Sequence, residues 1–145
     1  MMQEIKLSEE KEVEIEKAID SFPYFLEIIF PLSFKNEIYY APHTFKWAET
    51  IQNNRLTATL SARKHLKSTL MYAYLMWRIF RMNESEEWLY MSYSEPLSRY
   101  HASNIKKLIA RNPLFIGLKD ISIAESIIKC TWDSKTILTI HPASI

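Results

Sequence analysis

Leu56-Thr57-Ala58-Thr59-Leu60-Ser61-Ala62-Arg63-Lys64-His65-Leu66-Lys67-Ser68-Thr69 is the stretch on which the reading of the fold turns. Residues 56–61 alternate apolar and β-branched or polar side chains, the pattern of a strand. Residues 61–68 then follow the outline of a phosphate-binding loop, GxxxxGK[ST], which sits between a strand and a helix. Ser61 and Leu66 stand where that loop has glycines, Lys67 and Ser68 where it has its lysine and hydroxyl, and Thr69 follows. Residues 67–82 are apolar nearly all round (Leu70, Met71, Tyr72, Ala73, Leu75, Met76, Trp77, Ile79, Phe80), which predicts a buried helix.

Working outward, residues 88–93 read as a second strand. Ser94 caps a following helix with Glu95 and Pro96 in its first turn, and Asn112-Pro113 ends it. Leu97, Tyr100, Ile105, Leu108 and Ile109 form that helix's expected apolar face, with Arg99, Lys106 and Lys107 on a solvated one. Residues 126–131 and 136–141 predict a hairpin turning at Asp133-Ser134. Toward the N-terminus, helices are expected over 8–20 with Ser8 as N-cap, over 24–30, and over 43–53 with a stop at Asn53-Asn54. Strand–helix–strand order implies an α/β fold. The expectation is a partial P-loop-like, mainly parallel sheet flanked by helices over 36–145, after an N-terminal helical segment over 1–35.

Composition narrows the function classes. A chain of 145 residues with 48% apolar side chains builds a core, which excludes a disordered tail. The lone cysteine, Cys130, excludes an internal disulfide and a cysteine-based zinc site, and His43, His65, His101 and His141 have no metal-ligand spacing. The longest apolar run, 22–34, is too short for a bilayer and is broken by Pro23 and Pro31, and the polar start has no leader-peptide pattern. A cytoplasmic protein with no membrane partner is expected. Residues 1–50 carry 5 Lys and Arg against 10 Asp and Glu, a net −5; the rest carry 13 against 7, a net +6. That asymmetry is compatible with phosphate or nucleic-acid contact. A single glycine, Gly117, means that turns must be made by Pro, Asn, Asp and Ser.

A phosphate loop works through converging backbone N–H groups, a cation on the β- and γ-phosphates, and a hydroxyl on Mg²⁺. Lys67 can supply the cation, Ser68 the metal hydroxyl, and Thr69 a contact to the α-phosphate. Phe45 and Trp47 could frame a base, and Tyr39 and Tyr40 could stack on one, with packing as the competing role of all four.

Ala41-Pro42-His43-Thr44-Phe45-Lys46-Trp47 and then 60–69, Trp88–Ser94, Ile105-Lys106-Lys107 and Arg111-Asn112-Pro113-Leu114-Phe115 together resemble, in order and spacing, the start of the ATPase domain of phage terminase large subunits. The resemblance covers about 38–140. It implies an ATP-driven motor that packages viral double-stranded DNA with other packaging proteins, in host cytoplasm. It implies a nucleotide-binding loop of Arg63, Lys64, His65, Leu66, Lys67, Ser68 and Thr69, with ATP and Mg²⁺ as cofactors. Arg63 matches the early arginine of the family's variant loops. The loss of both glycines departs from the common pattern and implies weaker binding. An apolar strand ending in paired acids, and the nuclease carboxylates, are not within the sequence. The expectation is therefore an N-terminal part that binds ATP but does not hydrolyse it efficiently alone, or else a non-enzymatic α/β module of viral or proviral origin acting through DNA or protein contacts. An open sheet edge would favour self-association.

Overall fold

The computed structural model describes the backbone of residues 2–59, 66–124 and 126–145, with side chains from residue 9 onward. Two compact units divide the chain, Met1–Trp77 and Arg78–Ile145.

The first unit is helical. Helix α1 spans Met2–Asp20, α2 Phe22–Ile28, α3 Pro42–Asn53, and α4 begins at Lys67 and continues to Phe80. Ser8 lies inside α1 instead of capping it, because Gln3 to Leu7 are good helix formers and carry the helix back to Met2. The break between α1 and α2 is made by Ser21, whose Oγ accepts from the Tyr24 N–H at 3.3 Å, with Pro23 in the first turn where no N–H is needed. Phe22, Phe25, Leu26, Ile29 and Phe30 are then buried. Phe22 packs 5.3 Å from Trp77 and 5.5 Å from Tyr74, ring centre to ring centre. The indole N–H of Trp77 donates to the Ala18 carbonyl at 2.8 Å, so a fully buried tryptophan leaves no polar atom unpaired. Gln52 ties α3 to the α1–α2 corner: its Oε1 accepts from the Phe22 N–H and its Nε2 donates to the Asp20 carbonyl, both at 2.8 Å.

The second unit is an α/β layer. Strand β1 is Glu86–Ser92, helix α5 Glu95–Arg111, β2 Lys119–Asp120, β3 Ile128–Thr131 and β4 Ile137–Ser144. Their order across the sheet is β1-β4-β3-β2. Only β1 and β4 run parallel; β3 pairs antiparallel with β4 and with β2. The expected mainly parallel sheet is thus corrected to a mixed one. The connections decide this, since parallel neighbours need a crossover of a dozen residues or more and only β1 and β4 are separated by a helix.

Register sets the faces. Trp88 pairs with Ile140 and Ile140 with Ile128, while Glu86 pairs with Leu138 and Leu138 with Cys130. This face meets α5, as the ring contact of Tyr90 with His101 at 5.6 Å shows. On the opposite face of β1, Leu89 and Met91 remain 61% and 53% exposed.

The face of α5 is the expected one at Ile105 and Leu108 and differs toward the N-terminal end. Ser98, Ala102, Ile105 and Leu108 are buried, whereas Tyr100 is 60% exposed and Leu97 also faces water. Small side chains at 98 and 102 let the helix backbone approach the sheet closely. The Ser98 hydroxyl uses that approach to donate to the Ala143 carbonyl on β4. Replacing Ser98 by Ala removes a buried side-chain-to-main-chain bond. It should lower unfolding stability by about 1–3 kcal/mol, measured by urea denaturation of the whole chain.

Candidate functional site

Leu66 immediately precedes α4 and has φ of 60°, the left-handed region that glycine adopts without strain. Its carbonyl accepts from the Leu70 N–H at 2.8 Å, which closes the first helical turn. The residue standing at the loop's second glycine position therefore has a glycine-like backbone. Lys67 and Ser68 follow in the first turn and are exposed, Thr69 is half-buried, and no acidic residue shares that turn. The first N–H groups of a 14-residue helix have no intrahelical acceptors and carry the positive end of its dipole. Leu70, Ala73, Met76 and Trp77 bury the helix behind them and hold this end in place.

The structure therefore brings together Leu66, Lys67, Ser68 and Thr69. Ser61, Arg63, Lys64 and His65 lie outside the described residues. The expected strand over 56–61 is absent from its described part: residues 57–59 have no regular structure, and Leu56 is 88% exposed. Alternation is a weak signal by itself, since a strand also needs a pairing partner.

Tyr40, Phe45 and Trp47 pack against neighbouring rings. The Tyr40 ring meets Phe45 edge-on at 5.3 Å, its hydroxyl donates to the Leu26 carbonyl at 3.0 Å, and burial pushes its phenol pKa upward. Trp47 is half-buried against His43, 4.5 Å away. Tyr39 is exposed and its hydroxyl donates to Glu37.

Several carboxylates are committed to holding the fold. Glu86 opens β1. Arg78 donates to its Oε1 and the Trp88 indole to its Oε2, each at 2.7 Å. Burial pushes Glu86 upward, but these bonds and the charges of Arg78 and Arg81 outweigh it and hold the carboxyl below its ordinary value. Asp120 is likewise raised by burial and lowered further by Ser122 and Lys106. Asp133 closes the hairpin turn, its Oδ1 accepting from the Lys135 and Thr136 N–H groups. Those bonds hold it low. Among the described residues no three His, Cys, Asp or Glu side chains gather as a metal-binding group.

Lys106 is less free than a solvated-face reading predicts. Its Nζ donates to the Ala124 carbonyl at 3.3 Å and lies 4.0 Å from Asp120. Arg99 pairs with Glu95 one turn earlier on an exposed surface, an interaction of little energy. No helix among the described residues is long and apolar enough to cross a membrane.

No protein-family model, curated protein or solved structure matches the chain.

His101 supplies a pH test of this electrostatic description. Burial against the sheet lowers its imidazole pKa below the ordinary 6.5. The unfolded chain then binds the proton more readily, so stability is full above 6.5 and is lost as pH falls through the folded value. Glu86 and Asp120 act in a separate window, losing their contribution only below their ordinary values of 4.5 and 3.8. The urea midpoint should fall between pH 7 and pH 5, and fall less in His101→Phe.

Proposed function

We propose that this chain carries the nucleotide-binding start of a terminase-like P-loop ATPase, with ATP and Mg²⁺ held at residues 63–69. The carrying observation is the φ of 60° at Leu66, directly before Lys67-Ser68-Thr69 at the exposed start of α4. A phosphate loop needs its backbone to turn this way before the lysine, and most sequences reach that geometry with glycine. In this reading Lys67 offers its ammonium to the phosphates, Ser68 its hydroxyl to Mg²⁺ and Thr69 a further hydroxyl. The metal would screen phosphate charge. Arg63, Lys64 and His65 complete the loop. Double-stranded DNA, packaging proteins and further copies of the chain would be its partners in the cytoplasm of a host cell. The assignment is binding; hydrolysis needs a pair of acids that these residues do not include.

The loop's missing glycines give the test. Titration calorimetry should find weak binding of Mg²⁺–ATP, with a dissociation constant in the high micromolar to millimolar range. Lys67→Ala should abolish it. Leu66→Gly relieves left-handed strain of about 1–2 kcal/mol that the ligand-free chain already bears, so it should preserve binding. Unchanged heats in Lys67→Ala, or no binding by either wild type or Leu66→Gly, would remove the nucleotide assignment.

A second reading, a non-enzymatic α/β module working through DNA or protein contact, is favoured by residues 57–59 standing outside the sheet. It predicts salt-dependent DNA binding that is lost in Lys106→Ala/Lys107→Ala and indifferent to ATP.

A further inference from the structure

A cavity of about 360 Å³ opens in the second unit between the last turns of α5, the 3₁₀ turn Pro113–Phe115, and strands β2 and β3. Ile109, Phe115, Leu118, Ile128 and Cys130 give it an apolar lining. Phe115, Ile128 and Cys130 are buried residues, so the cavity reaches inward to the helix-facing side of the sheet. A volume of this size, mostly apolar with a few polar groups converging on it, is the ordinary form of a small-molecule site.

The polar groups specify charge. Lys106, Asp120 and Arg111 all line the cavity. Lys106 and Asp120 offset one another across 4.0 Å. Arg111 forms no ion pair among the described residues. One uncompensated positive charge therefore remains beside an apolar wall. Asp120 on the same wall disfavours a polyanion such as a triphosphate, while a single carboxylate can take two parallel hydrogen bonds from a guanidinium.

We propose that this cavity binds an amphipathic monoanion, a medium-chain carboxylate, with its hydrocarbon against Phe115, Ile128 and Cys130 and its carboxylate on Arg111. Charge complementarity selects the head group, and the buried lining selects the tail. The site shares no residue with 61–69 and stands independently of the nucleotide reading.

Cys130 is the chain's one thiol and lines the cavity, so it reports occupancy directly. Burial, helped by the Asp120 charge, pushes its pKa up to about 12, so its modification depends on access and is slow. The whole chain is treated with 4,4′-dithiodipyridine in the presence of decanoate below its micellar concentration, or of decylamine. Decanoate should slow Cys130 modification at least tenfold at saturation, and decylamine should not. Arg111→Met, an exposed change, should raise the decanoate concentration needed by tenfold or more without lowering the thermal midpoint. Ala110→Trp, also exposed and lining the cavity, should abolish protection by steric filling. Equal protection by decanoate and decylamine, or undiminished protection in Arg111→Met, would overturn the proposal, as would failure of decanoate to protect the wild type.

Discussion

The shortage of glycine is the constraint on which the local structure depends. With Gly117 alone, the chain cannot turn by left-handed backbone freedom, and even Gly117 does not have a positive φ. Side-chain oxygens do that work. Ser21 and Ser94 accept the first N–H groups of α2 and α5, Asn112 accepts from Leu114, and Asp120 from Ser122. In the β3–β4 turn, Thr131 Oγ1 accepts from the Asp133 and Ser134 N–H groups before Asp133 takes over. Among the described residues the left-handed region is entered only at Leu66 and Ser134. At Ser134 a tight turn demands it. At Leu66 the chain accepts the same strain at the start of a helix, and that coincidence with a phosphate-loop outline is what gives residues 66–69 their interest.

The second unit is organised around small side chains. Ser98 and Ala102 bring α5 close to β1 and β4, and the buried row Ile105 and Leu108 continues toward the cavity below. Because α5 covers one face of β1, the helix-facing residues Trp88 and Tyr90 are partly screened while Leu89 and Met91 stand in water. Arg78 lies over the Trp88 ring at 5.1 Å and binds Glu86, so the start of the unit is fixed by a cation shared between a ring and a carboxylate.

The sequence made legible what is decided locally. Ser94 capping α5, Asn112-Pro113 ending it, the all-apolar run of α4 and the Asp133-Ser134 turn each depend on a few adjacent residues, and each occurs as read. What depends on distant neighbours was not legible. Residues 57–59 have strand composition and no strand, since alternation alone does not supply a pairing partner. Strand direction follows from connections rather than from the strands' own residues. On α5, Ile105 and Leu108 are buried as their pattern predicts, whereas Leu97 and Tyr100 give way to Ser98 and Ala102 because closeness to the sheet favours the smaller pair. The φ of Leu66 is signalled only by its place in the loop outline, since leucine itself does not favour that region. The cavity has no sequence signal, because its walls come from segments between Lys106 and Cys130 that meet only in the folded unit.

The parallel pairing of β1 with β4 also orders the assembly of this unit in time. Glu86 meets Leu138, 52 residues away, whereas β3 meets β4 across a turn of a few residues. Closing a long loop costs entropy before any contact repays it, so the local hairpin is the cheaper nucleus. On this ordering β3 and β4 form first, α5 gathers onto them through Ser98 and Ile105, and β1 arrives last as an outer strand. The step that waits longest is then the search of Glu86–Ser92 for its partner across that loop.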